Sequence, residues 1–384
     1  METEIYVVQP DDTLKGIANK FGIPMAEILS LNSMSPFQPL VVGQAILIPH
    51  VRKAIQSLAY FHLDDLENLE RTLVEIAPFI SLGGVFQFPI TTGGAIPIVS
   101  ETNVSRIVGL LKSHGILPLM VITNLTPAKF DPDLARAVIG DDVIKARLIR
   151  NFIVLLEHFG FSGINIDFEN VYPEDRGFFT NFIRDLKLAF EPNGYLVTLA
   201  VPPKNSDEPE SPGKGAYDYQ ALGQWADFVF IMTYDWGVIG GPPMAVSPIN
   251  EVQKVLSYAV TKIPPDKILQ GIPLYGYNWQ LPYGPESLTT VVNLVNVIDL
   301  ARRYHAVIQY DPVAQSPNFG YTDEKGQEHI VWFEDARSVK VKYKMSRSFN
   351  LGGVGFWSSK NYPFGFPQNW RIFAEMFLPI HWIK

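Results

Sequence analysis

From residue 57 onward, short apolar runs alternate with longer segments whose apolar residues recur every three or four positions. This is the rhythm of repeated strand–helix units feeding a parallel sheet. The runs Ser57–Phe61, Phe79–Phe88, Leu117–Ile122, Gly163–Glu169, Leu196–Val201, Phe228–Asp235, Ile268–Tyr275 and Leu351–Trp357 predict strands, with helical spacing at Asp142–Phe159 and Phe178–Phe190 among the segments between them. Eight such strands predict an α/β fold, a closed (β/α)8 TIM barrel in residues 51–384. That stretch exceeds the roughly 250 residues typical of the architecture. Most of the surplus falls between strands seven and eight, so an inserted subdomain is expected at about residues 277–334.

Residues 1–50 are patterned differently. Ile5–Val8, Thr13–Phe21, Pro24–Leu31 and Ala45–Pro49 read as strand, helix, helix, strand. Leu14, Ile17, Ala18 and Phe21 form one apolar helix face, Asp12 or Thr13 is placed to cap that helix, and Gly22 to stop it.

Composition narrows the range of partners. The 384 residues are 47% hydrophobic, enough for one large domain and a small one, and the formal net charge is −8. No run of Lys and Arg suited to phosphates occurs, so nucleic acid is not an expected partner. An uncharged polymer suits this surface better. Pro, Gly and charges interrupt every apolar run before the ~20 residues a membrane span requires, and the first residues lack the basic and apolar regions of a signal peptide. Neither membrane insertion nor signal-peptide export is expected, and no protein partner is predicted. There are no cysteines, and the seven histidines are scattered without ligand spacing, so no metal or other cofactor is expected.

The candidate chemistry lies in Gly163-Ile164-Asn165-Ile166-Asp167-Phe168-Glu169. Alternation along a strand points Ile164, Ile166 and Phe168 outward beneath the helices, and Asn165, Asp167 and Glu169 toward the barrel axis. Two carboxyls buried two residues apart raise one another's pKa, which yields the proton-carrying acid that general acid catalysis needs. Glu169 falls at the C-terminal end of the strand, the face where barrel enzymes hold their active sites, and is the expected acid.

The segment Ser162-Gly163-Ile164-Asn165-Ile166-Asp167-Phe168-Glu169 resembles the signature of family 18 glycoside hydrolases, the chitinase-like enzymes, in which Asp-Gly-x-Asp-x-Asp-x-Glu is usual. Ser162 and Asn165 replace the first two Asp residues. Met232-Thr233-Tyr234-Asp235, Gly271-Ile272-Pro273-Leu274-Tyr275-Gly276 and Gly352-Gly353-Val354-Gly355-Phe356-Trp357 resemble the family's motifs on strands six, seven and eight. The resemblance implies a retaining, substrate-assisted reaction in which the substrate's own 2-acetamido oxygen attacks the anomeric carbon. By this reading Glu169, Asp167 and Tyr234 are catalytic: Glu169 is the acid and later the base, and Asp167 orients the acetamido group. Asp235, Asn165, Trp357, Met232, Asn124 and Tyr275 are expected to contact substrate, Trp357 as an aromatic floor for a sugar face. Packing accounts for Tyr275, Trp236, Trp279 and Tyr283 about as well, and loop turning for Asn124.

The N-terminal segment resembles LysM modules through Tyr6-x-Val8, Asp12-Thr13-Leu14-x-x-Ile17-Ala18-x-x-Phe21, Ile28-x-x-x-Asn32 and Gly43-Gln44-x-x-x-Ile48-Pro49, with Asp11 where Gly is common. That resemblance implies binding to N-acetylglucosamine-containing glycans such as peptidoglycan or chitin. Together with Pro173-Glu174-Asp175 after the signature strand, the whole chain is similar to bacterial spore peptidoglycan N-acetylglucosaminidases of cortex breakdown. This implies a location in the spore coat or cortex. A chitinase, another endo-acting N-acetylglucosaminidase and a non-catalytic chitinase-like lectin are the alternatives.

Overall fold

The computed structural model describes residues 3–21, 23–49, 52–357 and 365–381. The chain divides into two compact units, residues 1–54 with 371–378, and residues 55–370 with 379–384. This division differs from the boundary expected at residue 50 chiefly in assigning 371–378 to the first unit.

In the first unit, strands Thr3–Val7 and Ala45–Pro49 pair antiparallel, and helices Leu14–Phe21 and Met25–Leu31 lie between them in sequence. Ile17, Ala18, Ile28, Ile46 and Ile48 form the buried centre. Thr13 caps the first helix by accepting the Gly16 N–H at 3.0 Å, whereas Asp12 accepts the Gln9 N–H and the Tyr6 hydroxyl and shapes the preceding turn. Asp11 has φ 66°, a left-handed conformation that costs an L-residue about 1–2 kcal/mol and accounts for glycine being common there. Asn32 donates to Ile28 O and Leu47 O and accepts the Leu47 N–H, tying the second helix to the second strand. The helix stop expected at Gly22 lies outside the described residues.

In the second unit, strands Lys53–His62, Leu82–Pro89, Leu117–Thr123, Gly163–Asp167, Leu196–Val201, Phe228–Ile231, Ile268–Pro273 and Gly353–Trp357 pair in parallel with their sequence neighbours. The eighth closes on the first, with Gly353 opposite both Gln56 and Leu269. Leu58, Leu82, Leu119 and Leu269 fill the interior with Tyr60, Val121 and Phe230. Phe230 fits because strand eight carries glycine beside it: a Cβ on Gly355 would lie 2.4 Å from the ring. Helix Asp142–Phe159 matches its expected span, since Asp141 caps it through the Val143 and Ile144 N–H groups and Gly160, at φ 77°, ends it.

Five strands are shorter than their hydrophobic runs: the seventh ends at Pro273 and the eighth begins at Gly353, and the others are the second, fourth and sixth. The second begins at Leu82 because Ala77–Phe79, containing Pro78, forms a 3-10 turn. The fourth ends at Asp167, where the Glu169 backbone pairs with the Asn124 side chain. The sixth ends at Ile231, since Thr233 N–H bonds Ile231 O and Tyr234 N–H bonds Met232 O, successive tight turns that aim the next side chains into the barrel mouth.

Between strands seven and eight, residues 275–332 build a five-stranded antiparallel sheet and helix Leu294–Arg303. Just after its last strand, buried Glu334 pairs with buried Lys342 at 2.7 Å, on the helix leading into strand eight.

Candidate active site

A cavity of about 620 Å³ opens at the C-terminal ends of the barrel strands and is lined by Asp167, Glu169, Met232, Tyr234, Asp235 and Trp357 among others. The strand alternation places them there. Phe168 points outward and stacks on Phe182 and Phe179 of the following helix, which turns its neighbours Asp167 and Glu169 inward.

Burial raises both carboxyls, Asp167 to about 7 and Glu169 to about 8, and Glu169 also faces the negative charges of Asp167 and Asp235. Each charge resists the next, so a proton stays on this cluster at neutral pH. Oδ1 of Asp167 is buried without a hydrogen-bond partner among the described residues, an acceptor left open in the cavity wall. Asp235, at φ 61°, accepts from the Tyr275 hydroxyl at 2.7 Å and the Tyr277 hydroxyl at 3.0 Å.

The family model for glycosyl hydrolases family 18 matches residues 136–361. The chain belongs to glycosyl hydrolase family 18. A LysM domain model matches residues 6–49 of this family 18 chain. Its relatives include the cortical fragment-lytic enzymes of Bacillus anthracis, 37% identical over 97% of this chain and 98% of that one, and of Bacillus subtilis, 36% identical over 97% and 98%. The crystal structure of the spore cortex-lytic enzyme SleL of Bacillus cereus superposes with a TM-score of 0.83 at 37% identity, covering 98% of this chain and 87% of that one.

The family 18 motifs converge on one mouth. The indole of Trp357 is held edge-on by the rings of Phe86, at 5.0 Å, and Tyr60, at 5.2 Å. Tyr234 is buried against Phe230 and lines the cavity, where burial and the nearby carboxylates raise its phenol well above the ordinary range. Met232 and Trp236 complete that wall.

Three residues expected at the substrate lie elsewhere. Asn165 is fully buried below the cavity, where it accepts from the Tyr60 hydroxyl and donates to Thr198 Oγ1. Both polar atoms of its amide are engaged by the barrel, and it puts no charge beneath Asp167. Asn124 is also fully buried: it accepts the Glu169 N–H at 2.9 Å and donates to Glu169 O at 2.8 Å and Asp131 O at 2.9 Å. It clamps the Glu169 backbone and has no polar atom to spare. Tyr275 stands behind Asp235 as a donor and does not line the cavity.

Tyr60, Phe86 and Lys214 line the cavity without having been singled out in the sequence, and Tyr277 joins Tyr275 as a donor behind Asp235. Tyr277 follows Tyr275 at strand spacing and Tyr60 shares the inward register of its strand, signals that were present; Lys214, in an irregular loop, carried none.

Proposed function

We propose that this chain hydrolyses N-acetylglucosaminyl bonds of peptidoglycan, cortex fragments of bacterial spores in particular, by a retaining substrate-assisted mechanism. The observation that carries the reading is the buried Asp167–Glu169 pair at the mouth of a family 18 barrel, with Glu169 raised to about 8. A carboxyl of that kind holds its proton at neutral pH and delivers it to the glycosidic oxygen as the C1–O bond breaks. The 2-acetamido oxygen bonds to C1 in the same step, and its N–H finds the open Oδ1 of Asp167. Water then attacks C1, giving its proton to Glu169 and releasing the acetamido oxygen. Trp357 supplies an apolar plate for the sugar face, and Tyr234 and Asp235 supply polar contacts at its edge.

The names of the relatives, cortical fragment-lytic enzymes and a spore cortex-lytic enzyme, support cortex as the source of the glycan and the spore as the site of action. The LysM segment is assigned to glycan attachment. The test is mass spectrometry of products after wild type and Glu169→Gln act on muramidase-treated cortex, vegetative peptidoglycan and chitin oligomers. New reducing N-acetylglucosamine ends from cortex with wild type alone are expected. Cleavage of chitin only would make the chain a chitinase, and equal turnover by Glu169→Gln would refute the mechanism.

A further inference from the structure

Lys214 is the one cationic residue among the described residues that line the cavity, and it shares that wall with three carboxyl residues, Asp167, Glu169 and Asp235. It is exposed and makes no ion pair among the described residues.

The loop that carries Lys214 is rigidly built. Two cations, Lys204 and Arg176, converge on Asp207, and Arg176 also pairs with Asp218. Lys204 Nζ further donates to Tyr217 O, and the buried Tyr217 hydroxyl donates to Phe168 O, one residue before Glu169. The backbone of Lys214 itself is held on both sides: its N–H donates to Ser211 O and its carbonyl accepts the Tyr217 N–H. Gly215 allows the close passage this requires, since a Cβ there would fall 2.1 Å from Pro209 O. The backbone of Lys214 is thus held at the cavity wall, and its exposed ammonium ranges over the mouth from a fixed root.

We propose that Lys214 recognises a carboxylate on the sugar unit next to the scissile bond, and so selects glycans whose N-acetylglucosamine adjoins muramic acid or its peptide-bearing form. This rests on the peptidoglycan reading above. N-acetylglucosamine and muramic lactam are neutral and offer such a cation only uncharged hydrogen-bond acceptors, whereas the lactyl or peptide carboxylate of a muramoyl unit is the anion that an ammonium at a sugar site would hold by a charge-assisted bond. The pairing is an exposed one, so the effect is moderate and screened by salt.

The test compares wild type with Lys214→Met and Lys214→Glu, using soluble muramidase-released fragments that carry either a free muramoyl carboxylate or muramic lactam. The Met variant is expected to raise KM for the carboxylate-bearing fragments about 3- to 10-fold with kcat nearly unchanged, and to leave the lactam fragments alone. The Glu variant should go further in the same direction, and the wild-type preference should shrink as salt is raised from 0.05 to 0.5 M. Binding of the same fragments to Glu169→Gln, with and without Lys214→Met, is read by calorimetry and does not depend on turnover. An unchanged ratio of carboxylate to lactam fragments, in binding and in KM, would overturn the role of Lys214 while leaving the hydrolase reading intact. Loss of the hydrolase reading would show differently, as wild type that cleaves neither fragment.

Discussion

Replacing Asn124 tests whether the Glu169 carboxyl is held in place by its backbone. Asn124→Ala removes three hydrogen bonds, of 2.8, 2.9 and 2.9 Å, from a residue with no exposure to solvent. Each backbone group left without a partner costs about 1–3 kcal/mol when water cannot reach it. The groups at Glu169 are only partly buried, so a total of about 2–4 kcal/mol is expected. The kinetic effect is separate. Glu169 lies beyond the last ladder bond of its strand, so losing the clamp frees its backbone, and a displacement of about 1 Å lowers kcat by roughly 100-fold. KM should change little, because Asn124 does not line the cavity. Asn124→Asp adds a second reading: buried and facing the Glu169 and Asp131 carbonyls, an Asp here keeps its proton and so retains one donor and an acceptor for the Glu169 N–H, and kcat should fall less than in Asn124→Ala. The assay is kcat, KM and pH profile on muramidase-released fragments, with thermal melting to confirm that each variant is folded at the assay temperature. A folded Asn124→Ala with kcat within two-fold of wild type would refute the clamp. A raised KM with normal kcat would make Asn124 a ligand contact instead.

Two further substitutions probe the acid pair and the barrel packing. Asp167→Asn removes one of the two negative charges that raise Glu169, so the residual activity should lose its high-pH limb at a lower pH than wild type; an unmoved limb would show that the two carboxyls do not communicate. Gly355→Ala would force a methyl to within 2.4 Å of the Phe230 ring, which packs against Tyr60 and Tyr234, and should cost about 1–3 kcal/mol and lower the melting temperature; melting unchanged from wild type would refute that close approach.

Local chemistry determined a large part of this protein. The eight strand runs, the inward alternation of Asp167 and Glu169 and the cap at Asp141 are set by residues close in sequence, because strand periodicity and capping are nearest-neighbour physics. The family 18 and LysM motifs were legible for the same reason: each is a short run of residues with fixed spacing. What only the tertiary structure decided are pairings between distant positions. Asn124 meets Glu169 forty-five residues away, Tyr60 meets Asn165 across the barrel, and Tyr277 reaches Asp235 from the inserted sheet. A single Asn at a strand end reads equally as a turn former, a substrate contact or a clamp, and the choice depends on which backbone the closed barrel brings against it. Lys214 is the extreme case. Its loop has no period, and its place on the cavity wall follows from the ion pairs of Lys204 and Arg176 with Asp207 and from the reach of Tyr217 to Phe168, contacts that exist only once the barrel has closed.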